Sequence, residues 1–285
     1  MRGVISAGMV SALEQLDLLH VFDRVYGSSA GAMNGAFFIA GQAAFGTTIY
    51  YEDINNTRFV SLPRLVGPRP VLDLDFLVWD VMRRRKPLDA ARVLESHVGL
   101  RALATDTTTG ERALFDTWRD PEDLLSCLRA GASMPIFAGP PYLFRGRPYW
   151  DALLSEPIPA RVAEDEGCTH LVVLLTRPVG AEGPRLSPLE RYYILPRLRR
   201  VSDRLATRYG DRSRLYHELL SALASGRGPS GRASVLTVSP SGSVVGKLER
   251  NANRLIEAAR QGMRAVFETL GVDPPATRAL SAASL

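Results

Sequence analysis

Residues 21–36 read VFDRVYGSSAGAMNGA, and this stretch decides the fold class of the chain. An apolar segment predicts a short strand, a tight turn follows, and a run of small residues then predicts a helix. The turn carries Gly27, Ser29 and Gly31 in the Gly-x-Ser-x-Gly pattern of a nucleophile elbow. Lifting a serine clear of a strand–helix corner forces strained backbone angles on it, and glycines two residues away on each side let strand and helix approach closely. The stretch therefore predicts Ser29 as a nucleophile that faces the N-terminus of a helix.

Segments typical of strands alternate with segments typical of helices along the chain. This alternation predicts an α/β protein with a largely parallel sheet. Beyond the turn, the predicted helices cover residues 3–19, 72–82, 121–131, 157–166, 190–223 and 247–270, and the predicted strands cover 101–106, 111–115, 142–144, 148–150, 169–176 and 234–239. We expect a single domain over residues 1–285, with its core in 1–180 and 234–272, an arginine-rich helical insert at about 187–225 and a loose tail at 274–285.

The composition excludes several classes of protein. No apolar run is long enough to span a bilayer, and two cysteines are too few for a disulfide scaffold, which predicts a cytoplasmic protein, either free or peripheral on the membrane. The four histidines lie far apart without matching ligands, so we expect no metal and no cofactor. The net charge of +5 comes almost wholly from arginine and suits anionic partners such as lipid headgroups. Because no aromatic stacking platform accompanies the arginines, we expect no nucleic-acid binding.

A serine nucleophile needs a base, and the chain offers more than one. Asp151 is the first candidate because it ends a predicted hairpin and follows two aromatic residues. Asp106 is the second, although its position favours bonding to the backbone of the turn that follows it. A Ser-Asp-His triad would instead add His170 or His217. Against it, His170 precedes a predicted buried strand and His217 lies within the arginine-rich helix.

Six short motifs, in order, give the chain a resemblance to the bacterial patatin-like phospholipases over nearly all of its length. They are RGVISAG at 2–8, GSSAGAMNG at 27–35, ATD with TG at 104–110, RAGASMP at 129–135, YWD at 149–151 and PIP at 157–159. The resemblance implies a three-layer α/β/α fold with a mainly parallel central sheet. It also implies a Ser/Asp dyad, here Ser29 and Asp151, that works without histidine, metal or cofactor. The implied activity is that of a phospholipase A, lysophospholipase or carboxylesterase acting through an acyl-enzyme on phospholipid or another lipid ester.

The chain departs from the family pattern in two places. The family's glycine-rich oxyanion loop, and a strand ahead of it, normally precede the Arg-Gly pair matched here by Arg2 and Gly3. The sequence lacks both before Arg2, and we expect them to be encoded upstream of residue 1. The backbone amides of Arg2 and Gly3 are therefore the candidate oxyanion donors. The family also has glycine where this chain has Ala152, so either Asp151 sits differently or the turn needs no positive φ.

A second functional hypothesis comes from a different class of protein. With its oxyanion loop missing, the chain would be a catalytically inactive patatin-like protein that binds an anionic membrane surface. The basic, amphipathic segment at 190–223 is the feature that motivates this alternative. Such a segment more often covers a domain with its apolar side and exposes a solvated basic side.

Overall fold

Seven strands organise the part of the chain that the structure, a computed structural model, describes. The described residues are 1–179, 186–188, 190–242 and 245–275. The strands are β1 (Arg24–Ser28), β2 (Gly99–Asp106), β3 (Arg112–Phe115), β4 (Tyr142–Phe144), β5 (Arg147–Asp151), β6 (His170–Leu174) and β7 (Ser234–Val238). The predicted hairpin of β4 and β5 forms, with Arg145 and Gly146 at its turn in left-handed conformations.

The strands form two sheets that carry both parallel and antiparallel pairs. Strand β1 runs parallel to β2, which pairs antiparallel with both β3 and β5, and β4 completes the order β1-β2-β5-β4. Strands β6 and β7 form a separate parallel pair. The α/β class is confirmed. The five-stranded sheet is mixed, with one parallel and three antiparallel pairs, where a mainly parallel sheet was expected.

Nine α-helices accompany the strands in the described residues. They are α1 (Gly3–Gln15), α2 (Ala30–Ile39), α3 (Ala43–Glu52), α4 (Ala90–Glu95), α5 (Pro121–Gly131), α6 (Ala160–Asp165), α7 (Leu195–Val201), α8 (Asp203–Ala224) and α9 (Ala252–Leu270). Two further segments wind as π-helix, Phe76–Arg85 and Glu190–Ile194. Short 3₁₀ turns lie at Leu19–Val21, Leu62–Val66 and Ala152–Leu154.

Helices cover both sides of the strands, in agreement with a three-layer α/β/α fold. Helices α1, α2, α3, α5 and α9 share one large apolar core with β2 and β4. On the other side, α6 and α8 pack against β6 through Ala160, Leu220 and Val173. Helices α7 and α8 also cover Trp150, which lies in β5.

The arginine-rich segment predicted as one helix over 190–223 is divided in the structure. Ser202 is extended, and its side chain accepts a hydrogen bond from Leu205 N, so it acts as the N-cap that begins α8 at Asp203. Leu198 and Leu205 are fully buried, whereas Arg214 is exposed. The segment therefore covers the strands with its apolar side and exposes basic residues such as Arg214, although the side chain of Arg212 is only 11% exposed.

Strand β6 differs from the buried strand predicted at 169–176. It is shorter, and Val172 is 39% exposed although Val173 beside it is buried. Its one described partner is β7, and the whole of β6 lines a cavity. The apolar run therefore forms the wall of a cavity.

The predicted tail at 274–285 lies almost wholly outside the described residues. None of the described helices is both long and apolar enough to cross a bilayer.

Candidate active site

The predicted turn joins β1 to α2, and Ser29 stands at its apex. Ser29 has φ 54° and ψ −126°, in a region that disfavours residues with a Cβ atom. Gly27 is required here because a Cβ on it would lie 2.3 Å from the Cα of Ala32. The expectation for Gly31 is wrong, since a Cβ there would meet no atom within 4 Å. Strand and helix approach closely at Gly27, and again at Gly35, where a Cβ would lie 2.8 Å from Val25 Cγ1, but not at Gly31.

Strand β2 brings Asp151 to the serine. In the parallel pair Ser28 lies opposite Leu103, and in the antiparallel pair Asp151 lies opposite Ala104, the next residue of β2. Ser29 follows β1 and Asp151 ends β5, so the two residues lie on either side of the same part of β2.

The backbone of Asp151 is held on two sides. Its N–H donates to Ser133 O at 2.9 Å, and its carbonyl accepts from Thr105 Oγ1 at 2.9 Å. These bonds fix the end of β5 from which the carboxylate projects.

The hydroxyl of Ser29 donates a hydrogen bond of 2.7 Å to Asp151 Oδ2. The other carboxylate oxygen accepts from the backbone N–H of Leu153 at 2.8 Å. Asp151 is 1% exposed, and burial raises its pKa to about 6, although the bonds from Leu153 and Ser29 and the charge of Lys247 oppose this rise. A group with this pKa is mostly ionised at neutral pH and still accepts a proton readily.

The structure accommodates Ala152 at the position where the family has glycine. The φ of Ala152 is not positive, and the residue begins the 3₁₀ turn that follows β5. Its side chain is fully buried with Leu103 and Val162. The turn after Asp151 therefore needs no positive φ, and alanine fits it.

The contacts described for the other candidate bases do not involve Ser29. Asp106 Oδ1 accepts from the backbone N–H groups of Thr108 and Thr109, and Oδ2 pairs with Arg147 at 2.6 Å. This is the turn role that the sequence favoured for it. His170 Nδ1 contacts Thr169 Oγ1 at 3.0 Å, and His217 lies in α8. The hydrogen bonds described for Ser29 and Asp151 include neither histidine.

The N-terminus of α1 lies against the start of α2. A Cβ on Gly3 would be 2.6 Å from the Cβ of Ala30, the residue after the serine. Asn34 ties the two helices together, because its Nδ2 donates to Gly3 O at 2.9 Å and to Ser6 Oγ at 3.0 Å. Tyr50 supports Asn34 by donating to its Oδ1 at 3.1 Å. Sequence reasoning missed this buried asparagine, although its place one turn after the serine was visible.

A cavity of about 1260 Å³ opens beside these residues. Arg2, Gly3, Ser29 and Asp151 all line it, and so do apolar residues of α2 and β6 such as Phe37 and Leu174. Five arginine or lysine residues also line it, and four of them were not singled out from the sequence as site residues, namely Arg24, Arg177, Arg212 and Lys247. Within the described residues no group of three or more histidine, cysteine or acidic side chains is arranged to hold a metal ion.

The fold is a three-layer α/β/α scaffold, and a serine at a strand–helix turn is hydrogen-bonded to a buried carboxylate. These two features define the class of protein to which the chain belongs. The model of the family described as patatin-like phospholipase matches residues 1–164, more than half of the chain. The chain belongs to that family, which is one of lipid acyl hydrolases.

One curated relative is the uncharacterized protein YjjU of Escherichia coli (strain K12). The two are 27% identical over 180 residues, which cover 62% of this chain and 49% of YjjU. The chain thus spans about half the length of that relative.

Proposed function

We propose that the protein is a serine hydrolase of lipid acyl esters in which Ser29 is the nucleophile and Asp151 its base. The observation that carries the proposal is the 2.7 Å hydrogen bond from the Ser29 hydroxyl to a carboxylate that is almost completely buried. Membership of the patatin-like phospholipase family supports an ester of a lipid as the substrate.

Acylation begins when Asp151 Oδ2 accepts the proton of Ser29 as Oγ attacks the ester carbonyl. The bond from Leu153 N–H to Oδ1 orients the carboxylate so that Oδ2 faces the hydroxyl. Burial strengthens the carboxylate as a base, because its pKa of about 6 lies closer to the working pH than the usual value of a carboxyl group. The tetrahedral intermediate then collapses, and Asp151 returns the proton to the departing alcohol or lysolipid.

Deacylation repeats the same proton transfers, with water as the nucleophile in place of Ser29. Asp151 takes a proton from a water molecule as it attacks the acyl-Ser29 ester. Collapse of this second intermediate releases the fatty acid, and the proton returns from Asp151 to Ser29 Oγ. The dyad ends in its starting state.

Backbone amides at two adjoining helix N-termini are the candidate donors to the oxyanion. Those of Arg2 and Gly3 lie at the start of α1, and that of Ala30 follows the nucleophile at the start of α2. Both helix dipoles favour negative charge in this corner of the cavity. A lost donor of this kind costs about 3–4 kcal/mol of transition-state stabilisation in hydrolases.

The proposal is tested by the variants Ser29→Ala and Asp151→Asn, with Ser28→Ala as the matched control. Ser28 is the neighbouring serine, and its hydroxyl donates to Glu156 O at 2.7 Å, away from the dyad. We expect a fluorophosphonate probe to label the wild type and Ser28→Ala, and Ser29→Ala to remain unlabelled. Undiminished ester hydrolysis by Ser29→Ala or Asp151→Asn would refute the dyad. A wild type that neither labels nor hydrolyses esters would favour the inactive, membrane-binding alternative.

A further inference from the structure

A surface loop begins and ends at the wall of the cavity that contains Ser29. The chain leaves this wall after Val60 and returns at Leu72, and the two residues form an antiparallel bridge. Phe59 and Leu72 both line the cavity, as Ser29 does. We call residues 61–71, which lie between the two ends, the 61–71 loop.

The 61–71 loop presents apolar side chains to solvent. On its 3₁₀ turn Leu62 is 56% exposed and Val66 is 95% exposed, the highest value for a large apolar residue in the described part of the chain. Pro63 and Pro68 beside them are exposed too. Single exposed apolar side chains are common on proteins, but several of them on one loop form an apolar tip that marks an interaction surface.

Contacts at its base hold the 61–71 loop in place. The guanidinium of Arg64 donates to Arg58 O at 3.0 Å and to Thr57 O at 3.2 Å. Three prolines within the loop restrict its backbone further. Because the loop is already ordered, its tip loses little conformational entropy when a partner covers it.

The charge of the loop and its flanks is positive. Residues 54–72 contain Arg58, Arg64 and Arg69 and no aspartate or glutamate. Asp80 pairs with Arg58 at 3.1 Å. Among the described residues, the ion pairs include neither Arg64 nor Arg69, and the bonds of Arg64 go to backbone carbonyls.

The carboxylates that flank residues 54–72 in the sequence have partners of their own. Asp53 pairs with Arg85 at 3.3 Å, and Asp75 pairs with Arg129 at 2.9 Å. Asp73 accepts a hydrogen bond of 2.9 Å from a backbone N–H in the segment that follows it. The apolar tip is thus accompanied by positive charge.

We propose that the 61–71 loop is the surface through which the protein docks on an anionic lipid bilayer. Leu62 and Val66 insert among the lipids, and the arginines of the loop stay at the level of the headgroups. The choice of a bilayer as the partner rests on the proposed hydrolysis of lipid esters. Apolar side chains flanked by arginines suit this interface, because acyl chains lie there beside anionic headgroups. Since the base of the loop lines the cavity, docking places the lipid surface beside the cavity wall.

The binding test measures sedimentation with sucrose-loaded vesicles of equal parts phosphatidylserine and phosphatidylcholine, compared with pure phosphatidylcholine. The protein carries Ser29→Gly, so that hydrolysis does not alter the lipids. We expect Leu62→Ser/Val66→Ser to weaken binding at least about tenfold, as the loss of buried aliphatic side chains requires. Arg69→Gln should weaken binding about fivefold on the anionic vesicles only.

The matched control is Leu215→Ser, which replaces an exposed leucine on another surface. Leu215 is 42% exposed and lies on α8, within the basic segment at 190–223. We expect this variant to bind vesicles as strongly as the parent protein. Because all the replaced side chains are exposed, each variant should fold normally, which circular dichroism checks.

Several results would overturn the docking surface. One is a parent protein that does not sediment with the anionic vesicles, and another is binding that Leu62→Ser/Val66→Ser leaves unchanged. Binding that Leu215→Ser alone weakens would place the membrane surface on α8. A dimer in lipid-free solution that Leu62→Ser/Val66→Ser dissociates would show that the loop packs against a second copy of the chain.

A kinetic comparison separates this inference from the proposed catalysis. With Ser29 intact, Leu62→Ser/Val66→Ser should hydrolyse the anionic vesicles at least about tenfold more slowly and keep the wild-type kcat/KM for the soluble ester p-nitrophenyl hexanoate. Vesicle binding through the loop without any hydrolysis would support the docking surface and contradict the hydrolase. Hydrolysis of both substrates that the double variant leaves unchanged would contradict the docking surface and leave the hydrolase intact.

Discussion

The backbone N–H of Leu153 holds Asp151 Oδ1 at 2.8 Å, and this contact turns the other carboxylate oxygen toward the serine. A residue two positions further along the chain thus aims the proposed base. The contact also stabilises the charged form of Asp151. It lowers the pKa of the carboxyl group, whereas burial raises it. Both orientation and charge depend on the 3₁₀ turn that follows β5.

The first prediction concerns the pH dependence of hydrolysis. Because burial raises the pKa of Asp151 to about 6, kcat/KM for a neutral ester should rise with pH through about 6 and then level off. In Asp151→Asn we expect kcat/KM to fall by about 10²–10⁴-fold and the step near pH 6 to disappear. A step in the wild type that stays near pH 4 would show that burial does not raise the pKa of Asp151, and a step near pH 6 that persists in Asp151→Asn would show that another group titrates.

The second prediction concerns stability and follows from the same shift. The pKa of Asp151 is higher in the folded chain than in the unfolded one, so its ionisation opposes folding as pH rises from about 4 to about 6. A rise from 3.8 to about 6 corresponds to about 3 kcal/mol at neutral pH. Asp151→Asn should therefore gain stability relative to the wild type between pH 4 and pH 7 in urea denaturation. An unchanged difference across that range would contradict the burial of a charged group here.

The third prediction separates the two substitutions that remove the proposed nucleophile. Ser29 has a positive φ that glycine adopts freely and alanine does not. Ser29→Gly should be more stable than Ser29→Ala by about 1–3 kcal/mol, although both lose fluorophosphonate labelling. Equal urea midpoints for the two variants would show that the turn carries no strain.

The fourth prediction compares the two glycines of the turn. Gly27→Ala should fail to fold or lose most of its stability, because its Cβ would overlap the backbone of Ala32. Gly31→Ala should retain the fold, since its Cβ would meet no atom and alanine favours a helix by about 1 kcal/mol. Circular dichroism and thermal melting of the pair check this asymmetry, and a well-folded Gly27→Ala would be the contrary result.

The fifth prediction assigns a positioning role to Asn34. Asn34→Ala removes the bonds to Gly3 and Ser6 that hold the start of α1 beside the serine. We expect kcat to fall at least about tenfold with KM little changed, because an oxyanion donor matters mainly in the transition state. Tyr50→Phe is the control, since it removes one donor to Asn34 and leaves the bond to Gly3. A loss confined to stability, or an equal loss in both variants, would contradict a positioning role.

Local patterns account for what could be predicted from the sequence. The turn at Ser29 follows from the spacing of its glycines and the apolar segment ahead of it, and the helix at Pro121–Gly131 forms over the predicted residues because Asp120 caps it. The family resemblance pointed to Asp151, which the geometry brings to Ser29.

What the sequence could not show depends on pairing between distant segments. Nothing near Ala104 indicates that its strand has both β1 and β5 as neighbours, yet that arrangement joins the two site residues. The exposure of Val172 likewise depends on which partner β6 has. The basic residues that line the cavity come from distant segments, so no local spacing could reveal that they lie around one cavity.

The residues that line the cavity come from both inside and outside the region that matches the family model. Ser29 and Asp151 lie within residues 1–164, which match the family model, whereas Arg177, Arg212 and Lys247 lie beyond them. Substitutions in the later segments would therefore reshape one wall of the cavity without changing the turn on which Ser29 stands or the strand end that carries Asp151.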